Sequence, residues 1–254
     1  MRSVYFHLAN ADNVGKILSQ GLIPQKGQNS RIFEEPEDCV YLCDLRSIPY
    51  WDILLGYKNP VALIIRINTD NQLSSHEWKY ERYKEFTTNS IIDPSCISVI
   101  DDFNSAWTNC FATNYQAIRN DVMQTLCIDY LEDISFACLS FIHLEEIGGT
   151  ASDANSVIRR FRKLLTVLNR LDWNCLPQER YEKELLALGD SGAYTFVDNF
   201  YDGDKIYKAV NSFRYEKIEP EFVGALHEAS QSIMNFVTET FPSCLQLNTG
   251  GYCK

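Results

Sequence analysis

The stretch SVYFHLANADNVGKILSQGLIP (residues 3–24) decides how the first half of the chain is read. Residues 3–7 form an apolar, β-prone run ending in His7, which reads as a strand. Residues 10–20 follow as a helix. Asn10 or Asp12 can cap it, because a short side-chain oxygen satisfies the free N–H groups of a first turn. Val14, Ile17 and Leu18 give that helix an apolar face. Gly21 suits the position after the helix, where a left-handed backbone favours glycine. The "LIP" that follows leaves the turn extended and ends at Pro24.

Working outward, residues 25–38 are polar and read as an exposed loop. CVYLC (39–43) reads as a short strand and IPYWDILLGY (48–57) as a short helix. PVALIIRIN (60–68) is a continuous apolar, β-branched run started by Pro60, the pattern of a buried strand. Residues 69–82 look loop-like. KEFTTNSII (84–92) alternates as a strand, and residues 93–101 turn into another. Beyond residue 105 the chain changes character. Residues 114–147 read as one long helix or two packed ones, ended by Gly148 and Gly149. Over 153–172, Val157, Ile158, Phe161, Leu164, Leu165, Leu168 and Leu171 recur at three and four, the stripe of a core-facing helix. Residues 178–188 and 219–240 read as further helices, while 193–215 resists assignment. The expected architecture is α+β, with an N-terminal domain over 1–105 and an all-α domain over 106–254.

Bulk properties limit the function. A chain of 254 residues with 45% hydrophobic and 13% aromatic residues can bury a substantial core. No apolar run reaches the roughly 18 residues of a membrane span. The first residues lack the basic and apolar segments of a signal peptide, so a cytoplasmic protein is expected, without a membrane partner. Nine cysteines, an odd number with no C-x-x-C, read as reduced thiols used as small apolar residues. No metal-ligand spacing, Walker loop or dinucleotide-binding glycine motif occurs. A net charge of −11 places protein ahead of nucleic acid as a macromolecular partner. RRFRK (159–163) is the one basic cluster, on the polar face of the Leu-rich helix. A solvated helix face accounts for it; a phosphate-binding or partner surface is the alternative.

Three features then fall in order: a strand ending in His7 with its helix and GLIP turn, VYLC with Tyr41, and Glu85 at the head of EFTTNSII. In this order and strand context, residues 3–101 resemble the ADP-ribosyltransferase fold, in its His–Tyr–Glu branch of diphtheria-toxin-like and poly-ADP-ribose-polymerase-like enzymes. The helical second half has no such resemblance. The resemblance implies a split β-sheet and an enzyme of the glycosyltransferase class that takes NAD as co-substrate. Such an enzyme cleaves the nicotinamide–ribose bond and transfers ADP-ribose to a macromolecule, as toxins, effectors and defence proteins of this fold do. It implies that Glu85 stabilises the positive charge developing on the ribose. His7 would donate to the adenosine-side ribose of NAD or otherwise hold NAD, and Tyr41 would stack on the nicotinamide ring. Arg31, in the loop before VYLC, would grip phosphate.

The match is not complete. Where arginine-modifying relatives carry an acidic residue two before the glutamate, this chain has Tyr83. Alternation puts Tyr83 on the face of Glu85, where it is expected to touch the target, and arginine modification is disfavoured. Glu81 stays open as the carboxylate if the strand starts earlier; His76 and Glu77 share its loop. Two other readings remain: a non-catalytic NAD or ADP-ribose module of the same fold, and an RNA 2′-phosphotransferase. The latter needs several arginines, and only Arg31 and Arg46 are at hand.

Overall fold

The computed structural model describes residues 2–27, 29, 38–68, 73–77, 83–146, 151–177, 179–180 and 183, with scattered helical positions between 224 and 240. Its contacts divide the chain into two compact units, Met1–Met123 and Gln124–Lys254. The architecture is mixed helix and antiparallel sheet, as an α+β reading requires.

Unit one is built on six strands: β1 (Arg2–Asn10), β2 (Val40–Cys43), β3 (Pro60–Asn68), β4 (Ser74–Glu77), β5 (Lys84–Thr88) and β6 (Ile97–Val99). Their order across the sheet is β4-β5-β2-β1-β3-β6, with every pairing antiparallel. Pairing is uneven. β1 and β3 are in register over nine residues, from Arg2↔Asn68 to Asn10↔Pro60. β2 and β5 pair over four, from Val40↔Thr88 to Cys43↔Glu85. Between β1 and β2 a single pair, Phe6↔Cys43, joins the two halves of the sheet. The sheet is therefore two three-stranded halves meeting at a narrow seam.

Helix α1 (Ala11–Gln20) starts as its sequence suggests, with Asn10 as cap accepting the Asp12 N–H. Gly21 also has a positive φ, 83°, but its ψ of −178° is extended rather than left-handed helical. Only glycine holds that conformation comfortably. A Cβ there would stand 2.2 Å from the Ile92 carbonyl oxygen. The chain leaves Gly21 straight into a two-way backbone pairing of Leu22 with Ile92, both bonds 3.0 Å. That pairing explains why β5 stops at Thr88 rather than running to 92: Ile92 belongs to a different partner. Residues 74–77, expected in a loop, form the edge strand β4.

The face carrying Tyr5, Ala9, Leu42, Leu63, Ile65 and Phe86 packs beneath Val14 and Ile17 of α1. The opposite face meets α2 (Ile48–Leu55), which is buried from Ile48 through Leu54 and ends where Gly56 turns left-handed at φ 60°. Helix α3 (Phe103–Phe111) begins at Asp102, whose side chain caps the Ser105 N–H, and ends at Ala112, a non-glycine residue at φ 54°.

Helix α4 (Tyr115–Glu146) is one continuous helix. Its first turns belong to unit one because of a buried polar contact. Tyr115 Oη donates to Asp52 Oδ2 at 2.6 Å, and Arg119 Nε donates to the same oxygen at 2.8 Å. Asp52 is only 5% exposed. Burial, reinforced by the Asp52 charge, pushes the Tyr115 phenol far above its ordinary value. Phe103, Trp107, Phe111 and Tyr115 stack into an aromatic cluster at centroid distances of 4.5–5.5 Å. The unit boundary expected near residue 105 therefore falls at 123, because α3 and the start of α4 are part of the first core.

Unit two is helical among its described residues. Helix α5 (Ala151–Leu168) buries Ile158, Phe161, Leu164 and Leu168 from the expected stripe, and Val167 beside them. The Trp173 indole N–H donates to the Leu168 carbonyl at 3.0 Å, and Gln124 Nε2 to the Cys175 carbonyl at 2.9 Å. Residues 193–215 lie outside the described residues, as do Gly148 and Gly149.

Candidate functional site

The cross-strand register places the candidate residues. Directly opposed residues point to the same face of a sheet. Cys43↔Glu85 and Tyr41↔Thr87 thus put Tyr41, Cys43, Glu85 and Thr87 on one face, and alternation adds Tyr83. Tyr41 is the diagonal neighbour of Glu85, about 7–8 Å away in a regular ladder. Phe6↔Cys43 assigns Phe6 to this face as well. His7 is therefore rooted on the other face, between Tyr5 and Ala9, under α1.

Its side chain nevertheless touches the main chain of Tyr41 across the seam. Its Nδ1 lies 2.8 Å from the Tyr41 carbonyl oxygen. A carbonyl only accepts, so Nδ1 carries the proton. Where the β1–β2 ladder has parted, an imidazole N–H replaces the backbone donor that a closed sheet would supply. Burial holds the imidazole below its ordinary value of 6.5, partly opposed by that hydrogen bond. At neutral pH the ring is uncharged, with Nδ1–H committed and the Nε2 lone pair left to accept. With Nδ1–H committed to the main chain, the neutral ring has only an acceptor, Nε2, to offer to a further partner.

Glutamate at a strand start is ordinarily a solvated charge. Glu85 is 7% exposed. Its neighbour Cys43 feels it: burial first, then the charges of Asp44 and Glu85, push the thiol well above its usual range. Across the other ladder Glu85 stands opposite His76 of β4. Tyr83 is buried at 8% exposure and stacks on Tyr50 of α2, rings 4.2 Å apart and 15° from parallel. It packs against the protein's own helix rather than standing out towards a target. Arg31 and Glu81 lie outside the described residues.

Two residues near Glu85 were not singled out by sequence. Ser47, 0% exposed, accepts the Lys84 N–H at 2.8 Å through Oγ. Asp44 Oδ1 accepts the Ser47 N–H at 2.9 Å and the Ser47 hydroxyl. The signal was the Asp-x-x-Ser spacing ahead of an apolar helix, a local capping pattern.

Among the described residues, no cluster of three or more His, Cys, Asp or Glu is placed to hold a metal ion. Likewise among them, no helix is long and apolar enough to cross a membrane. Among the RRFRK residues, Arg159, Arg160 and Arg162 are exposed and Phe161 is buried, the disposition of a helix with a charged outer face. The chain matches no family model, no curated protein and no solved structure.

Proposed function

We propose that the chain is an NAD-dependent ADP-ribosyltransferase acting on a macromolecular acceptor, a protein rather than a nucleic acid in view of its acidity. The observation that carries this reading is the parted seam. His7 is fastened there to the main chain of Tyr41, and Tyr41 shares a sheet face with the buried Glu85. In this reading the extended dinucleotide lies along the seam between the third and fourth strands. The resemblance of residues 3–101 to the His–Tyr–Glu branch of that fold points the same way.

In this reading the C1′–N bond of NAD breaks and its electron pair leaves with nicotinamide. The ribose becomes oxocarbenium-like, and the Glu85 carboxylate stabilises the positive charge. The acceptor's nucleophilic atom then bonds to C1′ and releases its proton to solvent. The Tyr41 ring covers the nicotinamide, and the His7 Nε2 accepts a hydrogen bond from a ribose hydroxyl. Arg31 is the candidate for the phosphates.

Glu85→Ala is expected to lower nicotinamide release from NAD by roughly 10²–10³-fold, the scale of losing one preorganised electrostatic group. The NAD dissociation constant from calorimetry should stay close to wild type. Full activity in that variant rejects Glu85 as the carboxylate, and no binding heat at millimolar NAD rejects the site. The burial of Glu85 favours one second reading, a module that binds NAD or ADP-ribose without turnover. NAD binding without nicotinamide release, even with cell lysate as a source of acceptors, selects it.

A further inference from the structure

Glu85 stands at the end of its ladder with β2. Strand β2 stops at Cys43, opposite Glu85, and β5 begins one residue earlier at Lys84. A strand end frays unless something outside the ladder holds it. On one edge this strand end is paired with β4, Glu77 opposite Lys84; on the β2 edge the corner between β2 and α2 holds both residues that precede Glu85. The Lys84 N–H donates to Ser47 Oγ at 2.8 Å, extending the ladder with a side chain where β2 has run out. Tyr83 is clamped by its stack on Tyr50. The Ser47 hydroxyl has one proton, directed to Asp44 Oδ1, so its lone pairs face Lys84. Asp44 therefore sets the orientation of the hydroxyl, and the hydroxyl sets the backbone next to the carboxylate.

We infer that Ser47, oriented by Asp44, is the positioning residue for Glu85: it fixes where the carboxylate stands against the substrate ribose, acting through the Lys84 main chain. The inference rests on the transferase reading and names a part that reading lacks. Neither Ser47 nor Asp44 is assigned any contact with NAD. Removing the hydroxyl leaves the Lys84 N–H without that partner inside the fold, and the start of β5 relaxes. A shift of an ångström or less at a reacting group is enough to slow the chemical step, while dinucleotide binding, spread over many contacts, is little changed.

The test uses the full chain and four proteins: wild type, Ser47→Ala, Asp44→Ala and Asp44→Asn. Nicotinamide release gives kcat and KM, calorimetry gives the NAD dissociation constant, and amide exchange followed by NMR reports on Lys84. Ser47→Ala and Asp44→Ala should lower kcat roughly 10- to 100-fold, with KM and NAD affinity within about twofold of wild type. The Lys84 amide should exchange at least about tenfold faster in both. Asp44→Asn keeps an oxygen at the same place and should restore most of the lost kcat. Asp44 is only partly buried, so the Asp44 pair carries the test if Ser47→Ala fails to fold. The inference is overturned if kcat is unchanged, or if affinity falls together with kcat, or if Asn does not rescue. A wild type that releases no nicotinamide fails the transferase reading itself, and the inference falls with it. An active wild type with unaffected variants fails the inference alone.

Discussion

His7 shows how one side chain can fasten a sheet and still keep a second polar atom uncommitted. Its Nδ1–H closes the parted ladder and its Nε2 stays available, provided the ring is neutral. Because burial lowers its pKa, the native state resists protonation while the unfolded chain takes up a proton near pH 6.5. Stability from this group is complete above that pH and is lost as pH falls from about 6.5 towards the lower native value. The melting temperature of wild type should therefore drop over this interval more steeply than that of His7→Gln, which has no proton to gain. Identical pH profiles for the two would show that the imidazole is not held neutral. The residue types of His7, Tyr41 and Glu85 could be read from strand order and context alone. Their faces could not. Whether His7 points over the sheet or into the seam depends on the Phe6↔Cys43 register, which is set by residues 37 apart in sequence. The stack of Tyr83 on Tyr50 was hidden for the same reason: it joins two segments that only the folded chain brings together.

Elements with a strong local signal were readable from the sequence, and elements defined by their partners were not. Strand β3 matches its apolar run from Pro60 to Asn68. Strand β4, SSHE, has no apolar alternation; it exists because β5 offers it an edge. The α1 cap followed from Asn10, whereas the extended ψ of Gly21 follows from the Leu22–Ile92 pairing that the next residue must make. Ala112 offers a direct check on helix termination. It holds a left-handed conformation at φ 54°, ψ 24° while its N–H caps the Thr108 carbonyl at 2.8 Å. An L-residue with a Cβ is disfavoured there by about 1–2 kcal/mol, and glycine recovers part of that after its larger unfolded-state entropy. Ala112→Gly should stabilise the protein by up to about 1 kcal/mol in denaturant titrations. A destabilised variant would show that α3 ends differently.

For the molecule as a whole, composition and periodicity gave the α+β character and the helices among the described residues of the second unit, but the unit boundary depended on one buried carboxylate. Asp52 recruits Tyr115 and Arg119, and Trp107 fills the space between them and Phe103 and Phe111. Polar contacts of this kind leave no periodic trace in the sequence. A chain ending at residue 105 loses these partners and strands a 5%-exposed aspartate. It should fail to unfold cooperatively, whereas a chain ending at residue 123 should give a single sigmoidal transition. Equal cooperativity in the two would place the boundary back near 105.

The narrow seam also bears on how the first unit assembles. Pairing of β1 with β3 and of β2 with β5 each closes a long loop, and each builds a half-sheet that does not need the other. One register pair between the halves gives little reward for docking early, so the joining of β1 to β2 belongs late on the folding route. Phe6→Leu, at that pair, should speed unfolding and leave the refolding rate almost untouched. Leu63→Ala, inside the β1–β3 half, should slow refolding. Comparable slowing of refolding by both would mean that the halves condense together, and the opening between them would then be part of the folding nucleus rather than its last closure.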